Sequence, residues 1–141
     1  MNFIEFSEGE SAAFGDLEEY IFDWTKRSGE NTIVVGSIHD GDIAGLVEYE
    51  RQPSNQANYM WLLEVSSGYR GSAVAGELLA YVGRDSMEQG YEGFFFFEPK
   101  TSLYLFYQVK YGAKPSHGRY LYFDGEATRN LIVTYLGDSE E

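Results

Sequence analysis

The 141-residue sequence contains no cysteine, and this absence removes three kinds of chemistry. A disulfide framework, a thiolate metal site and a cysteine nucleophile are all excluded. The only two histidines, His39 and His117, have no i,i+4 partner and no acidic cluster at metal-ligand spacing. We therefore expect no metal.

Basic residues and long apolar runs are also scarce. Lys and Arg number 10 against 23 Asp and Glu, for a net charge of −13. Such a charge opposes binding to nucleic-acid phosphates and anionic membranes, and it favours cationic partners such as amines. No stretch approaches ~18 uninterrupted apolar residues, and the acidic start MNFIEFSEGE does not resemble a secretory signal. We expect a cytoplasmic protein without a nucleic-acid or membrane partner.

Aromatic residues, by contrast, are abundant. The chain has 12 Tyr and 10 Phe, which supply large surfaces for a packed core. Its length suits one domain, so residues 1–141 are predicted to form a single unit with a frayed acidic tail at 136–141.

The first half of the chain predicts a helix followed by a hairpin. Apolar residues in 11–26 recur at spacings of three and four, which is typical of an amphipathic helix. Two β-branched runs then flank Asp40-Gly41, the dipeptide of a tight turn. Residues 51–58 read as a loop.

The second half alternates strands and helices. Strands are predicted at 59–65, 93–99 and 119–124, and helices at 76–90, 101–113 and 125–136. With a short apolar opening strand, the order is β-α-β-β-β-α-β-α-β and a final helix. We expect an α+β fold.

The loop between the 59–65 strand and the next helix could bind an anion. Its residues, YRGSAVAG, are small and lead into helix amides that lack intrahelical partners. A pyrophosphate could approach these amides, and Arg70 could add a charge-assisted contact.

These residues resemble the Gcn5-related N-acetyltransferase (GNAT) superfamily. Its acyl-CoA loop reads Arg or Gln, two residues, Gly, one residue, then Gly or Ala, and Arg70-Gly71-Ser72-Ala73-Val74-Ala75 matches except at Ala73. The hairpin DGDIAGLVEYE and the helix SLYLFYQVKYGA are also similar to family elements. The resemblance implies an α/β/α sandwich around a mixed, mostly antiparallel sheet of 6–7 strands, with acetyl-CoA as cosubstrate.

The resemblance also implies a site where the fourth and fifth strands splay apart. Residues 64–66 and 94–97 would line the gap, and a backbone bulge near Val65 would polarise the thioester carbonyl. The expected cofactor-binding residues are Val65, Ser66, Arg70, Gly71, Ser72, Ala73, Val74, Ala75, Gly76 and Tyr107.

Two catalytic roles can be assigned to side chains. Glu64 is a carboxylate in an apolar strand and is the candidate base, with Glu48 and Glu50 as competitors and solvent exposure as the plain alternative. The resemblance places Tyr107 as the acid for the CoA thiolate, with Tyr104 as the fallback.

The function predicted is acetyl transfer from acetyl-CoA to a primary amine, on a small molecule or a protein, by direct attack in a ternary complex. The acidic composition favours a cationic amine. The alternative is a GNAT-fold binding module with weak catalysis that docks on basic partners. A homodimer is possible through 119–124 and the final helix.

Overall fold

A computed structural model describes residues 2–6 and 19–137. The strands are β1 (Asn2–Phe6), β2 (Ile33–His39), β3 (Asp42–Gln52), β4 (Ala57–Val65), β5 (Phe95–Phe97), β6 (Lys114–Pro115) and β7 (Leu121–Phe123). The helices are α1 (Val74–Glu88), α2 (Tyr104–Tyr111) and α3 (Gly125–Leu131), and a π-helical turn (Ile132–Leu136) continues α3.

The strands form one sheet in the order β1-β2-β3-β4-β5-β7-β6. Every neighbouring pair is antiparallel except β4 and β5, which run parallel. The crossover between these two strands is α1. The predicted fold, a mixed and mostly antiparallel sheet with flanking helices, is confirmed.

The β2–β3 hairpin closes as its sequence indicates. His39 pairs with Asp42, and the two residues between them, Asp40 and Gly41, have φ of 52° and 83°. A two-residue turn with positive φ at both positions matches the right-handed twist of the strands, and Asp-Gly accepts that geometry readily. The loop predicted at 51–58 is shorter than expected, because β3 extends to Gln52 and β4 begins at Ala57.

The main core lies between the sheet and helices α1 and α3. Leu78, Leu79 and Val82 of α1 are fully buried against strand residues such as Val47 and Phe95. Gly45 and Gly83 allow this close approach, since an added Cβ would lie 2.6 Å from Val74 Cγ1 and 2.5 Å from Thr128 Cγ2 respectively.

The opposite face of the sheet is covered over β1–β3 by an irregular segment, residues 20–29. Trp24 is buried there with Phe6, Val34 and Leu46 in a second, smaller cluster. The helix predicted for 11–26 is wrong for its described part, because 19–26 contain no α-helix; 11–18 lie outside the described residues.

Buried carboxylates hold this segment in place. Glu64 of β4 accepts hydrogen bonds from Ile21 N, Phe22 N and Trp24 Nε1 at 2.5–3.1 Å. Glu48 of β3 accepts from Ser28 N and Oγ at 2.6 and 2.7 Å. Backbone donors that a helix would use internally are thus bound to side chains some 20 to 43 residues away.

The last helical segment ends at Leu136, as the sequence predicted for the helix. Leu136 was also counted in the predicted frayed tail, but it closes the π-helical turn and packs against the main core. Residues 138–141 of the predicted tail lie outside the described residues. No helix among the described residues is both long and apolar enough to cross a bilayer.

Candidate active site

The parallel pairing of β4 and β5 is short, and a cleft opens where it stops. Only Asn58, Tyr59 and Met60 pair with β5, whereas β4 continues to Val65. Pro99, two residues beyond β5, cannot donate a backbone hydrogen bond to β4, and the backbone that follows β5 diverges from β4 there. The cleft between the diverging strands has a volume of about 440 Å³.

The walls of the cleft come from four parts of the chain. They are β4 from Met60 to Val65, the stretch from Phe97 to Lys100, the residues Leu103 and Tyr107 at and within α2, and Ile21 and Phe22 of the covering segment. Arg70, from the loop before α1, also lines the cleft, but residues 71–76 do not. Of the residues expected in the gap, Glu64, Val65 and Phe97 line it, but Ser66 and 94–96 do not.

The loop leading into α1, which was predicted to bind an anion, turns at a glycine. Gly71 has φ of 82°, with open space where a side chain would begin, and the helix starts three residues later at Val74. The first i→i−4 bond of α1 joins Glu77 N to Ala73 O, and Ser72 Oγ accepts from Val74 N. The amides of Ala75 and Gly76 precede that first bond and can face an anion.

Ala73 departs from the glycine of the motif without cost to the backbone. Its φ and ψ are −83° and 3°, which any L-residue adopts. Ser66 was also expected to bind the cofactor. Its backbone amide is already used within the protein, since it donates to Ala44 O at 2.9 Å. Gly76 is needed for packing as well, since an added Cβ would lie 2.4 Å from the ring of Tyr135.

The bulge in β4 does not lie where it was expected. Glu48 pairs with Leu62 and Tyr49 with Met60, so Trp61 is the extra residue, while the register at Val65 is regular. The expectation of a bulge near Val65 is therefore wrong. The bulge instead turns Trp61 toward the cleft, where its Nε1 donates to Glu50 Oε1 at 2.8 Å.

Tyr107 lines the cleft, and its fallback Tyr104 does not. The Tyr107 ring packs edge-on against Phe97 with centroids 4.9 Å apart. Burial raises the pKa of Tyr107, so the phenol keeps its proton at neutral pH. The helix then ends at Gly112, whose φ of 86° suits the left-handed cap.

Among the three candidate bases, only Glu64 lines the cleft. It is 7% exposed, which rules out the alternative that it merely faces solvent. Glu48 is fully buried beneath Ser28, and Glu50 is bound by Trp61 and Gln52. The Glu64 carboxylate accepts three N–H hydrogen bonds from segment 20–29. Of its roughly four lone pairs, about one is therefore left for a substrate or a water.

Two charged residues of the cleft were missed by the sequence reasoning. Glu98 and Lys100 both line it, on either side of Pro99. Glu98 pairs with Arg119 at 3.2 Å, and Lys100 Nζ lies 5.6 Å from the centre of the Phe22 ring, across the cleft. The proline that ends β5 was the available signal, because residues at a strand end border a splayed sheet.

A family model identifies the family of the chain. The model of the acetyltransferase (GNAT) family matches residues 3–112, which is most of the chain. This chain belongs to the GNAT family. The GNAT match includes β4, the loop before α1, α1 itself and α2, and it therefore spans every residue that lines the cleft. Among curated proteins, none matches the sequence closely enough to count as a relative.

Solved structures share the GNAT fold at low identity. A provisionally assigned streptothricin acetyltransferase of Bacillus anthracis, in complex with acetyl coenzyme A, has a TM-score of 0.57 at 16% identity, over 79% of this chain and 72% of its own. Tetrahymena Gcn5 has a TM-score of 0.53 at 8% identity, over 67% and 68%. The DNA-bound AtaT–AtaR complex has 0.59 at 14%, over 72% of each chain.

Proposed function

We propose that this GNAT protein transfers an acetyl group from acetyl-CoA to a primary amine within the cleft between β4 and β5. The observation that carries the proposal is the junction of three features in one place. An open cleft follows Met60, Arg70 lines it four residues before α1 begins with its unbonded first amides, and the partly buried phenol of Tyr107 lines it as well.

The cofactor would bind by its two chemically distinct parts. The pyrophosphate would sit on the amides of Gly71 to Gly76 and against Arg70, where the helix dipole favours an anion. The pantetheine arm would run along β4 from Leu63 to Val65, which has no strand partner on the cleft side among the described residues. Its amides and carbonyls could then bond the arm as another strand would.

The reaction is a direct transfer in a ternary complex. The amine nitrogen attacks the thioester carbon, an N–C bond forms, and the C–S bond breaks. The proton lost by the amine passes to Glu64 directly or through a water, and the thiolate takes a proton from Tyr107. Burial keeps the Tyr107 phenol protonated, as this role requires.

The amine acceptor is proposed to be cationic. The support for this is the chain's net charge of −13, since in the cleft itself Glu64 and Glu98 are matched in number by Arg70 and Lys100. The same charge is the reason to expect no binding to nucleic acid, although two structural neighbours, AtaT–AtaR and KacTA, are in complexes with DNA. A cytoplasmic location likewise remains a prediction.

The open cleft favours an enzyme over a binding module with weak catalysis. A pure docking protein could have filled the gap with the side chains of 94–97, yet only Phe97 of these lines it. The alternative stays testable, because a module that binds acetyl-CoA without turnover would show no thiol release.

Thiol release measures the transfer directly. The chain contains no cysteine, so a thiol reagent reports only the CoA produced from acetyl-CoA and an amine. We expect Tyr107→Phe to lower kcat about 100-fold with little change in acetyl-CoA affinity, because the proton donor alone is lost. Tyr104→Phe, one turn away and outside the cleft, is the matched control. Equal rates for wild type and Tyr107→Phe would remove Tyr107 from the reaction.

A further inference from the structure

A row of aromatic side chains lies on the sheet face opposite α1 and α3. Along β4, β5 and β7 the residues alternate, so that Met60, Phe95 and Phe123 are buried in the main core. Their neighbours point the other way. We call this set the aromatic face; its members are Tyr59, Trp61, Phe94, Phe96, Tyr120 and Tyr122.

Four rings of the aromatic face contact one another, and Phe94 and Tyr122 form a separate stacked pair. Tyr59 lies 5.0 Å from Trp61 and 4.8 Å from Phe96, and Tyr120 lies within 6.4 Å of both Tyr59 and Phe96, between ring centroids. Trp61, Phe94 and Tyr120 remain 37–40% exposed. The covering segment 20–29 packs over β1–β3, so these rings face solvent beside it.

The aromatic face is continuous with the cleft. Trp61 belongs to both, and Glu98 lines the cleft while its partner Arg119 adjoins Tyr120 in the chain. Carboxylates border the rings: burial, together with Tyr120, Glu98 and Glu50, raises the pKa of Tyr59. A molecule that leaves the cleft past Trp61 would therefore meet flat π-faces, with the carboxylate of Glu50 beside Trp61 and the Glu98–Arg119 ion pair next to Tyr120.

The exposed area of the aromatic face distinguishes two possible occupants, a second copy of the chain and a short extended polypeptide. Three rings expose about two-fifths of their surface and the others less, so the exposed aromatic area is on the order of 400 Å². A stable protein interface buries about 800 Å² on each partner. The face is thus too small to hold a second copy by itself, but it suits an extended chain of a few residues.

We propose that the aromatic face is an extension of the acceptor site and that the acceptor is a basic polypeptide. This inference rests on the proposed function. The reacting amine enters the cleft, and neighbouring Lys or Arg side chains of the same polypeptide stack on the rings, with Glu50 and Glu98 beside them. Aromatic faces attract such cations, and the chain's net charge of −13 adds to the attraction.

The test separates binding at the face from chemistry in the cleft. The probe is a blocked, fluorescein-labelled peptide of three Gly-Lys-Ser repeats, and its dissociation constant is measured by anisotropy without acetyl-CoA. We expect Phe96→Ser/Tyr120→Ser to weaken binding about tenfold and Tyr120→Ser alone about threefold. Val133→Ser, at a 62% exposed residue of the last helical turn, is the control and should bind as wild type does.

Turnover provides the second readout. The KM for the peptide should rise in the double variant, while the KM for butylamine, which is too short to leave the cleft, should not change. Unchanged peptide affinity in both Tyr120→Ser and the double variant would overturn the proposal. If, in addition, the wild type were a dimer and the double variant a monomer, the face would bind a second copy of the chain instead of the peptide. Failure of acetyl-CoA to bind the wild type would instead overturn the proposed function.

Discussion

In the half of the sheet centred on β2 and β3 both faces are covered, whereas in the β4–β5–β7 half no described segment packs over the aromatic rings on the face away from α1 and α3. In the first half, Trp24 of segment 20–29 is buried against Val34 and Leu46, and buried carboxylates bind the segment. The second half exposes aromatic rings and contains the cleft. Polar groups thus act as structural anchors in one half and are available for ligands in the other.

Glu64 lies at the boundary and belongs to both halves. Its carboxylate anchors Ile21, Phe22 and Trp24, and the same residue lines the cleft. Two of the residues that it holds, Ile21 and Phe22, are themselves walls of the cleft. A change at Glu64 should therefore alter stability and the acceptor wall together.

Removing this anchor should have the largest effect on stability. Glu64→Ala leaves three N–H donors without their acceptor, and we expect a loss of ~3 kcal/mol in the free energy of unfolding. Glu98→Ala, which removes a more exposed carboxylate from the same cleft, should cost less than ~1 kcal/mol. Urea denaturation of both variants measures the difference. Equal losses of unfolding free energy in the two variants would contradict the view that Glu64 stabilises the fold and Glu98 does not.

The cap of α3 should give an intermediate effect that depends on pH. Asp124 accepts from Ala127 N at 2.9 Å and from Lys114 Nζ, and these bonds lower the pKa of its carboxyl group. Asp124→Ala should cost ~1 kcal/mol at pH 7. Because the folded-state pKa is depressed, this contribution is present above the ordinary Asp pKa of about 3.9 and disappears as pH falls through the folded-state pKa.

Unfolding curves at several pH values check this prediction. The stability difference between wild type and Asp124→Ala should be constant from pH 5 to 7 and should shrink below about pH 4. A difference that grows on acidification would have the opposite sign from the one that the depressed pKa requires.

The smallest effect should come from the rim of the aromatic face. Trp61→Phe keeps a ring but removes the hydrogen bond to Glu50, and we expect a loss of about 0.5–1 kcal/mol. Phe96→Tyr adds a hydroxyl on the same face and serves as the control. If Trp61→Phe lowered the free energy of unfolding more than Glu64→Ala, the hydrogen bonds of the open half would stabilise the fold more than those of the covered half, and the comparison above would be wrong.

Local chemistry was enough to predict much of the molecule. Asp40-Gly41 indicated its hairpin, and small residues before a periodic apolar run indicated the loop and α1. Tyr107 was found through the family resemblance, and it does line the cleft. In each of these cases the signal and the structure lie within a few residues of each other.

The features that the sequence did not predict depend on contacts between residues far apart in the chain. The spacing of Tyr20, Ile21 and Trp24 suits a helix, but Glu64 binds their region from more than 40 residues away. Ile21 is consequently 77% exposed while Trp24 is buried. The bulge at Trp61 and the cleft position of Glu98 likewise follow from how strands pair and diverge.

Calorimetric titration with acetyl-CoA is the most direct test of the central claim, that the cleft and the loop at Gly71 form the cofactor site. We predict micromolar binding by the wild type, loss of binding in Gly71→Glu, and only modest weakening in Gly71→Ala, which strains the same positive φ without adding charge. Absence of binding by folded wild-type protein, or equal binding by the Glu variant, would contradict the account.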